Sequence, residues 1–257
     1  MVAYSGSRYA GWQWQPQLPS VDNTLRTTFK KVFQQDCFYL VGASRTDAGV
    51  HAEGQVVRIK TPLNGISCQK MVEVFNKALP QDVLIKSIEE VDSTFHPQHN
   101  IAYKIYEYVI FTERPHPHIA HMGWYVPMPF QENRLRQALS FFVGTHDFRL
   151  FCKEEESKNT IRSVLSIDVE YNSDKKTYHI QVKGRSFLRY MVRRIVGSAV
   201  ALALTKNAQI PINHGTIFKQ KYTKILLTAP AQGLCLIHIE YNAIKGTDKH
   251  NGELNHV

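Results

Sequence analysis

Long apolar runs are missing from this sequence. None approaches the ~18 consecutive apolar residues of a membrane span, so a membrane-embedded protein is not expected. The opening residues, "MVAYSGSRYAGWQ", carry neither the basic nor the apolar region of a secretory signal, and export is not expected either. Cysteine is scarce. Cys37, Cys68, Cys152 and Cys235 lie far apart with no CxxC spacing, which fits reduced thiols in a cytoplasmic protein. Gly-rich phosphate loops are absent too: there is no Walker loop and no dinucleotide fingerprint, so a cofactor held in that way is not expected. Acidic side chains are the minority, 22 Asp+Glu against 31 Lys+Arg, for a formal charge of +9. Such a surplus favours a polyanionic partner through release of the counterions around its phosphates.

What is present is a globular chain. Its 257 residues, 43% of them hydrophobic, are enough to bury a sizeable core. Val21, Leu25, Phe29 and Val32 recur at helical spacing, as do Met71, Val74, Phe75, Ala78 and Leu79. "QVVRIKT" (55–61), "DVLIKSI" (82–88) and "YKIYEYVIF" (103–111) read as strands, the last with Tyr106, Tyr108 and Ile110 on one face. "TERPHPHIAHMG" (112–123) holds two prolines and no clear period, and reads as the connection between two halves, 1–112 and 113–245. In the second half Leu135, Ala138, Leu139 and Phe142 mark a helix. "SVLSIDVEY" (163–171) and "TYHIQVKG" (177–184) alternate as neighbouring strands around an "NSDKK" turn, a long helix is predicted over 186–204, and "LCLIHIEY" (234–241) closes the fold. The polar stretch 246–257 reads as a flexible tail. Helices and strands interleave without Gly-rich phosphate loops, which predicts an α+β fold with helices packed on one face of the sheet.

Chemistry concentrates in few places. In "VGASRTDAGVHAEGQVV" (41–57), Arg45 and Asp47 stand two residues apart among Gly, Ala and Val, a composition that allows a sharp turn, with Gly49 supplying it, and close approach of something large. A lone aspartate in a turn is commonly structural. Here it coincides with Tyr106 on a strand and with Arg185, Arg189 and Arg193 at four-residue spacing in "GRSFLRYMVRRIVG". That stripe is either a solvated basic face or a phosphate contact that also holds a carboxylate ionised. Together the features describe a pocket for a flipped base of RNA or DNA with a carboxylate nucleophile. His116, His118 and His121 are close in sequence, but the prolines between them preclude a helical ligand face and no metal site is expected. His51 and His146 are expected to be structural groups with satisfied hydrogen bonds.

The motifs "YSGSRYAGWQWQ" (4–15), "ASRTDAGVHAEGQ" (43–55), "ALPQDV" (78–83), "TFHPQHNIAYKIYEY" (94–108), "FVGTHDF" (142–148), "FLRYMVRRIVG" (187–197) and "APAQGLCL" (229–236) run in order over nearly the whole chain. They resemble the tRNA pseudouridine synthase A family. The resemblance implies two similar α/β-sandwich halves that join mainly antiparallel sheets, with a cleft between them. It implies isomerisation of uridine to pseudouridine at positions 38, 39 and 40 of the tRNA anticodon arm, by a cytoplasmic homodimer that needs neither cofactor nor metal. Residue by residue, it makes Asp47 the catalytic aspartate and Arg45 the arginine that helps displace the base. Tyr106 becomes the tyrosine that packs on the uracil, Arg193 the partner of the aspartate, and Leu236 an apolar wall. Arg185 and Arg189 remain expected phosphate contacts.

The chain departs from the family pattern at Ser44, where glycine is usual, at Gln98, where "FHPQ" replaces an arginine-bearing motif, and at Cys235, where an aromatic residue is common. Gln98 is expected to remove one positive charge beside the substrate strand. A tRNA-binding protein without activity would share the phosphate contacts, but it would have no use for an ionised carboxylate facing a polyanion.

Overall fold

The computed structural model describes residues 1–35, 39–129, 131–153, 159–205, 213, 217–218 and 226–242. Cys37 and the expected tail at 246–257 lie outside them. The strands in chain order are β1 (Val2–Tyr4), β2 (Tyr39–Gly42), β3 (His51–Gln55), β4 (Val57–Lys60), β5 (Val83–Ile85), β6 (Ile101–Phe111), β7 (Trp124–Tyr125), β8 (Gly144–Asp147), β9 (Ile161–Asn172), β10 (Thr177–Gly184) and β11 (Leu234–Tyr241). The helices are α1 (Val21–Phe33), α2 (Cys68–Ala78), α3 (Glu132–Ser140) and α4 (Met191–Leu204).

Among the described residues, one nine-stranded sheet runs β5-β1-β3-β11-β6-β10-β9-β8, with β7 beside β6, and β2 pairs with β4 separately. All pairings are antiparallel except β11 with β3 and β6 with β7. The α+β class expected from the sequence is what forms. The centre is β6, whose Tyr106 and Tyr108 stand opposite Val182 and Ile180 of β10 on one side and Leu236 and Leu234 of β11 on the other. All six are buried. Burying each such side chain contributes about 1.5–3 kcal/mol, so this ladder is a large share of the core. Residues of the opposite parity, Glu107, His179 and Gln181, make a polar face instead.

The helices pair as α1 with α2 and α3 with α4. Ser20 caps α1 by accepting the Asn23 N–H, and Val21, Leu25 and Phe29 follow at four-residue spacing, each essentially inaccessible. Phe29 meets Phe75 of α2 edge-on, with ring centroids 6.0 Å apart. Ser67 caps α2 in the same way, through the Lys70 N–H.

Three expected elements differ. The run 55–61 is not one strand. β3 starts earlier, at His51, and the chain leaves the large sheet at Val56, so that β4 pairs with β2. The strand predicted over 82–88 is only Val83–Ile85. The helix predicted from 186 begins at Met191, because Tyr190 takes a left-handed conformation (φ 66°) that a right-handed helix does not contain. Arg185 and Arg189 therefore do not share a helical stripe with Arg193. Among the described residues no helix is long and apolar enough to cross a membrane.

Candidate active site

The site begins with the loop between β2 and β3. Three successive carbonyls, from the last residue of β2 into this loop, are each held by a side chain. Gln98 Nε2 donates to Gly42 O (2.8 Å), Lys104 Nζ to Ala43 O (2.9 Å) and Gln55 Nε2 to Ser44 O (2.6 Å). Gln55 Oε1 also accepts the Ser44 N–H at 3.1 Å, so one wholly buried amide pairs with both polar groups of that residue's backbone. The next contacts come from the N-terminal segment. Trp12 N–H donates to Thr46 O (3.1 Å), and Gly49 N–H to Tyr9 O (3.2 Å). Gly11, at φ 107°, lies so close that a Cβ there would stand 2.8 Å from Thr46 O. Gly49, at φ 79°, makes the turn expected of it.

This frame aims Asp47 into a cleft of about 1080 Å³ whose walls come from both halves of the chain. The carboxylate is only 13% exposed. Arg193 Nη1 donates to Asp47 Oδ2 at 3.3 Å, and Arg193 Nε donates to Ala229 O at 2.8 Å, so a single guanidinium is braced at one end and paired at the other. Arg189 Nε stands 3.8 Å from Asp47 Oδ1, an ion-pair distance beyond hydrogen bonding, on a side chain 41% exposed. The ring of Tyr190 lies 5.2 Å from the Arg189 guanidinium carbon and 5.1 Å from that of Arg193. The left-handed residue that delays the helix thus places an aromatic face beside both cations. Two guanidinium groups near one carboxylate favour its anionic form.

Tyr106 is buried beside the cleft, with its ring edge-on to Phe187 at 5.4 Å and its hydroxyl 2.8 Å from Ser44 Oγ. Burial, with Asp47 adding to it, pushes its phenol up to about 12, so it is neutral at physiological pH. Burial also brings the Lys104 ammonium down to about 8. Arg45 and Arg185 are exposed and line the cleft. Leu236 lies fully buried beside Tyr106 in the β11–β6 register, and of the two β11 leucines it is Leu234 that lines the cleft.

The structure thus brings Asp47, Arg189, Arg193, Tyr106, Arg45 and Arg185 to one cleft, and sets Leu236 behind it. His51 accepts the Gly6 N–H on Nδ1 and turns Nε2 toward His121 O and Gln232 O. His146 Nε2 faces Val143 O at 2.9 Å. Both histidines are structural, as expected. Cys68 and Cys235 are free thiols, and Cys152 Sγ donates to Arg149 O. Sequence reasoning missed Gln55 and Lys104, and it did not foresee that the Gln98 amide holds Gly42 O. The one available signal was a polar residue heading the apolar run "QVV".

A carboxylate between guanidinium groups, in a cationic cleft with an aromatic side wall, is the site of an enzyme that works on a polyanion. Comparison with known proteins says which. The family model described as tRNA pseudouridine synthase matches residues 1–100 and 138–242. The tRNA pseudouridine synthase A of Thermoanaerobacter sp. (strain X514) is 35% identical over 243 residues, which are 94% of this chain and 98% of that one. The tRNA pseudouridine synthase A 2 of Protochlamydia amoebophila (strain UWE25) is 36% identical over 245 residues, covering 93% of this chain and 92% of its own. The chain belongs to the tRNA pseudouridine synthase family, isomerases that convert uridine to pseudouridine in tRNA.

Proposed function

We propose that this chain isomerises uridines 38, 39 and 40 in the anticodon arm of tRNA, with Asp47 as the nucleophile. The N1–C1′ glycosidic bond breaks, the uracil turns within the cleft, and C5 bonds to C1′. The C5 hydrogen leaves as a proton and N1 gains one, so nothing is oxidised and no group enters. Asp47, kept anionic by Arg193 and Arg189, supplies the electron pair that starts the exchange. A stacked base is out of reach of a recessed carboxylate, so the target nucleotide flips. Arg45 at the rim helps displace it, Tyr106 packs on the ring, buried Leu236 backs that tyrosine, and Arg185 and Arg189 meet phosphate. The protein acts in the cytoplasm as a homodimer, and its two halves, 1–112 and 113–245, form the opposing walls of the cleft. The support for dimer, compartment and the three positions is the family resemblance.

One observation carries the reading: a largely buried aspartate paired with a braced arginine, in a cleft shared with Tyr106 and four more arginines. The test is conversion of an unmodified tRNA bearing uridines at all three positions, followed by nucleotide-resolved mapping. Asp47→Asn is expected to abolish product and to leave tRNA binding within a few-fold of wild type. Product at the normal rate from that variant would end the assignment.

A further inference from the structure

Ser44 is the position where this chain departs from the glycine of its family's motif, and its hydroxyl is engaged on two sides. Ser44 Oγ lies 2.8 Å from the Tyr106 hydroxyl and 3.1 Å from Lys104 Nζ. Lys104 and Tyr106 are two residues apart on β6, so their side chains leave the same face of the sheet. An ammonium only donates, so Ser44 Oγ accepts from Lys104. That bond polarises the serine hydroxyl and favours donation of its own hydrogen to Tyr106. The serine has little freedom to turn away: it is 7% exposed, and its backbone is held on both polar groups by the Gln55 amide.

Lys104 makes this arrangement informative. Among the described residues it forms no ion pair, and its contacts are the Ala43 carbonyl and the Ser44 hydroxyl. A buried cation without a counter-ion is costly, and a lysine whose only task was to tie one carbonyl would be replaceable by a neutral donor. Its remaining contact is the group that fixes the tyrosine.

We propose that Ser44, oriented by Lys104, is a positioning residue that pins the Tyr106 ring, and through it the plane in which the target base lies. The proposal rests on the reading that Tyr106 packs on the flipped base. A tyrosine ring tethered at its hydroxyl and flanked edge-on by Phe187 keeps one orientation, whereas an untethered ring samples several. The effect therefore belongs in the chemical step and not in tRNA binding.

The experiment uses full-length protein and tRNA carrying uridine tritiated at C5, from which pseudouridine formation releases tritium. Single-turnover rates, tRNA dissociation constants and melting temperatures are measured for Ser44→Ala, Tyr106→Phe and the double variant. Each single change is expected to slow the step roughly 3–10-fold, the worth of one hydrogen bond, with binding nearly unchanged and melting lowered by a few degrees because a buried polar group loses its partner. The double variant should lose no more than the worse single, because both changes remove the same bond. Wild-type rates in both singles, or losses that multiply, would overturn the proposal. Should Ser44→Ala unfold, Tyr106→Phe decides, since it leaves the other contacts of Ser44 in place. Tyr106→Ala separates the two layers of the argument. Full activity in Tyr106→Ala removes the base-packing reading itself. Inactivity there, with wild-type rates in Ser44→Ala and Tyr106→Phe, removes only the positioning role.

Discussion

Replacing Arg193 by methionine tests the electrostatic heart of the site, because the structure allows its effect to be sized. The guanidinium makes one charge-assisted bond to Asp47, at 3.3 Å, and one to the Ala229 carbonyl, at 2.8 Å. At 3.3 Å and an effective dielectric near 20, the gross attraction is about 5 kcal/mol. Asp47 is 13% and Arg193 14% exposed, so water screens part of this, and Arg189 at 3.8 Å remains to share the carboxylate. A charge-assisted hydrogen bond nets about 1.5–3 kcal/mol, and we take ~3 kcal/mol as the loss in the chemical step. At 1.36 kcal/mol per decade, that is a rate roughly 100-fold lower. Leaving the Ala229 carbonyl without its donor costs stability as well, about 1–3 kcal/mol, which for a chain of this size lowers the melting temperature by several degrees. Arg193→Lys keeps the charge but cannot serve both acceptors as a fork does, so it should fall between the two. The assay is single-turnover tritium release at 25 °C, with tRNA affinity and melting measured in parallel. Arg189→Met, which removes the longer and more exposed contact, should cost less than about fivefold. If Arg189→Met were slower than Arg193→Met, or if Arg193→Met kept the wild-type rate, the assignment of Arg193 as the principal partner of Asp47 would be refuted.

Two exposed arginines of the cleft predict a salt effect: Arg185→Gln and Arg189→Gln should each lower the slope of log affinity against log salt by about 0.7–0.9, and an unchanged slope would return them to ordinary solvated cations. Lys104 predicts a pH effect on stability. Burial takes its ammonium from 10.5 to about 8, so across that window the unfolded chain holds the proton that the folded chain has released, and stability rises with pH. Measured against Lys104→Met, the wild type should gain at most about 3 kcal/mol between pH 8 and 10.5, and a flat difference in chemical denaturation would contradict the burial of its charge.

How much of this was legible depends on whether the signal is local. Val21, Leu25 and Phe29 announce α1 because a helix repeats its buried face every three to four residues, and Ser20 caps it within one turn. β10 and β11 match their expected spans to the residue, since alternation is again a property of neighbours. The start of α4 was not legible, because the left-handed Tyr190 serves a tertiary need, the packing of its ring beside two arginines 5.1–5.2 Å away. Nor was the break at Val56, since alternation identifies a strand without saying which sheet it joins. In the site, Asp47 and Arg193 stood out through their motifs, although Arg189 reaches the aspartate from a turn and not along the helical stripe that the spacing implied. The clamping roles of Gln55, Gln98 and Lys104 were invisible because each acts on a backbone carbonyl, 11, 56 and 61 residues away in sequence. A carbonyl has no letter of its own.

Those three clamps explain a difficulty the charge pattern creates. On the proposed reading an anionic nucleophile faces an approaching polyanion, and each phosphate that nears Asp47 repels it as the arginines attract it. The attraction wins only if the carboxylate stays where its cations are, because the interaction falls with distance and salt screens the more distant charges. A loose loop would let Asp47 swing toward solvent and Arg193 toward phosphate, and the pair would be lost to the substrate it is meant to attack. Tying carbonyls 42, 43 and 44 from Gln98, Lys104 and Gln55, and bracing Arg193 on Ala229, fixes both members before RNA arrives. The exposed Arg45 and Arg185 are then available to phosphate without competing for the carboxylate. On the proposed reading the division of labour follows from burial: the recessed Arg193 holds the Asp47 carboxylate, and the exposed Arg45 and Arg185 meet the substrate.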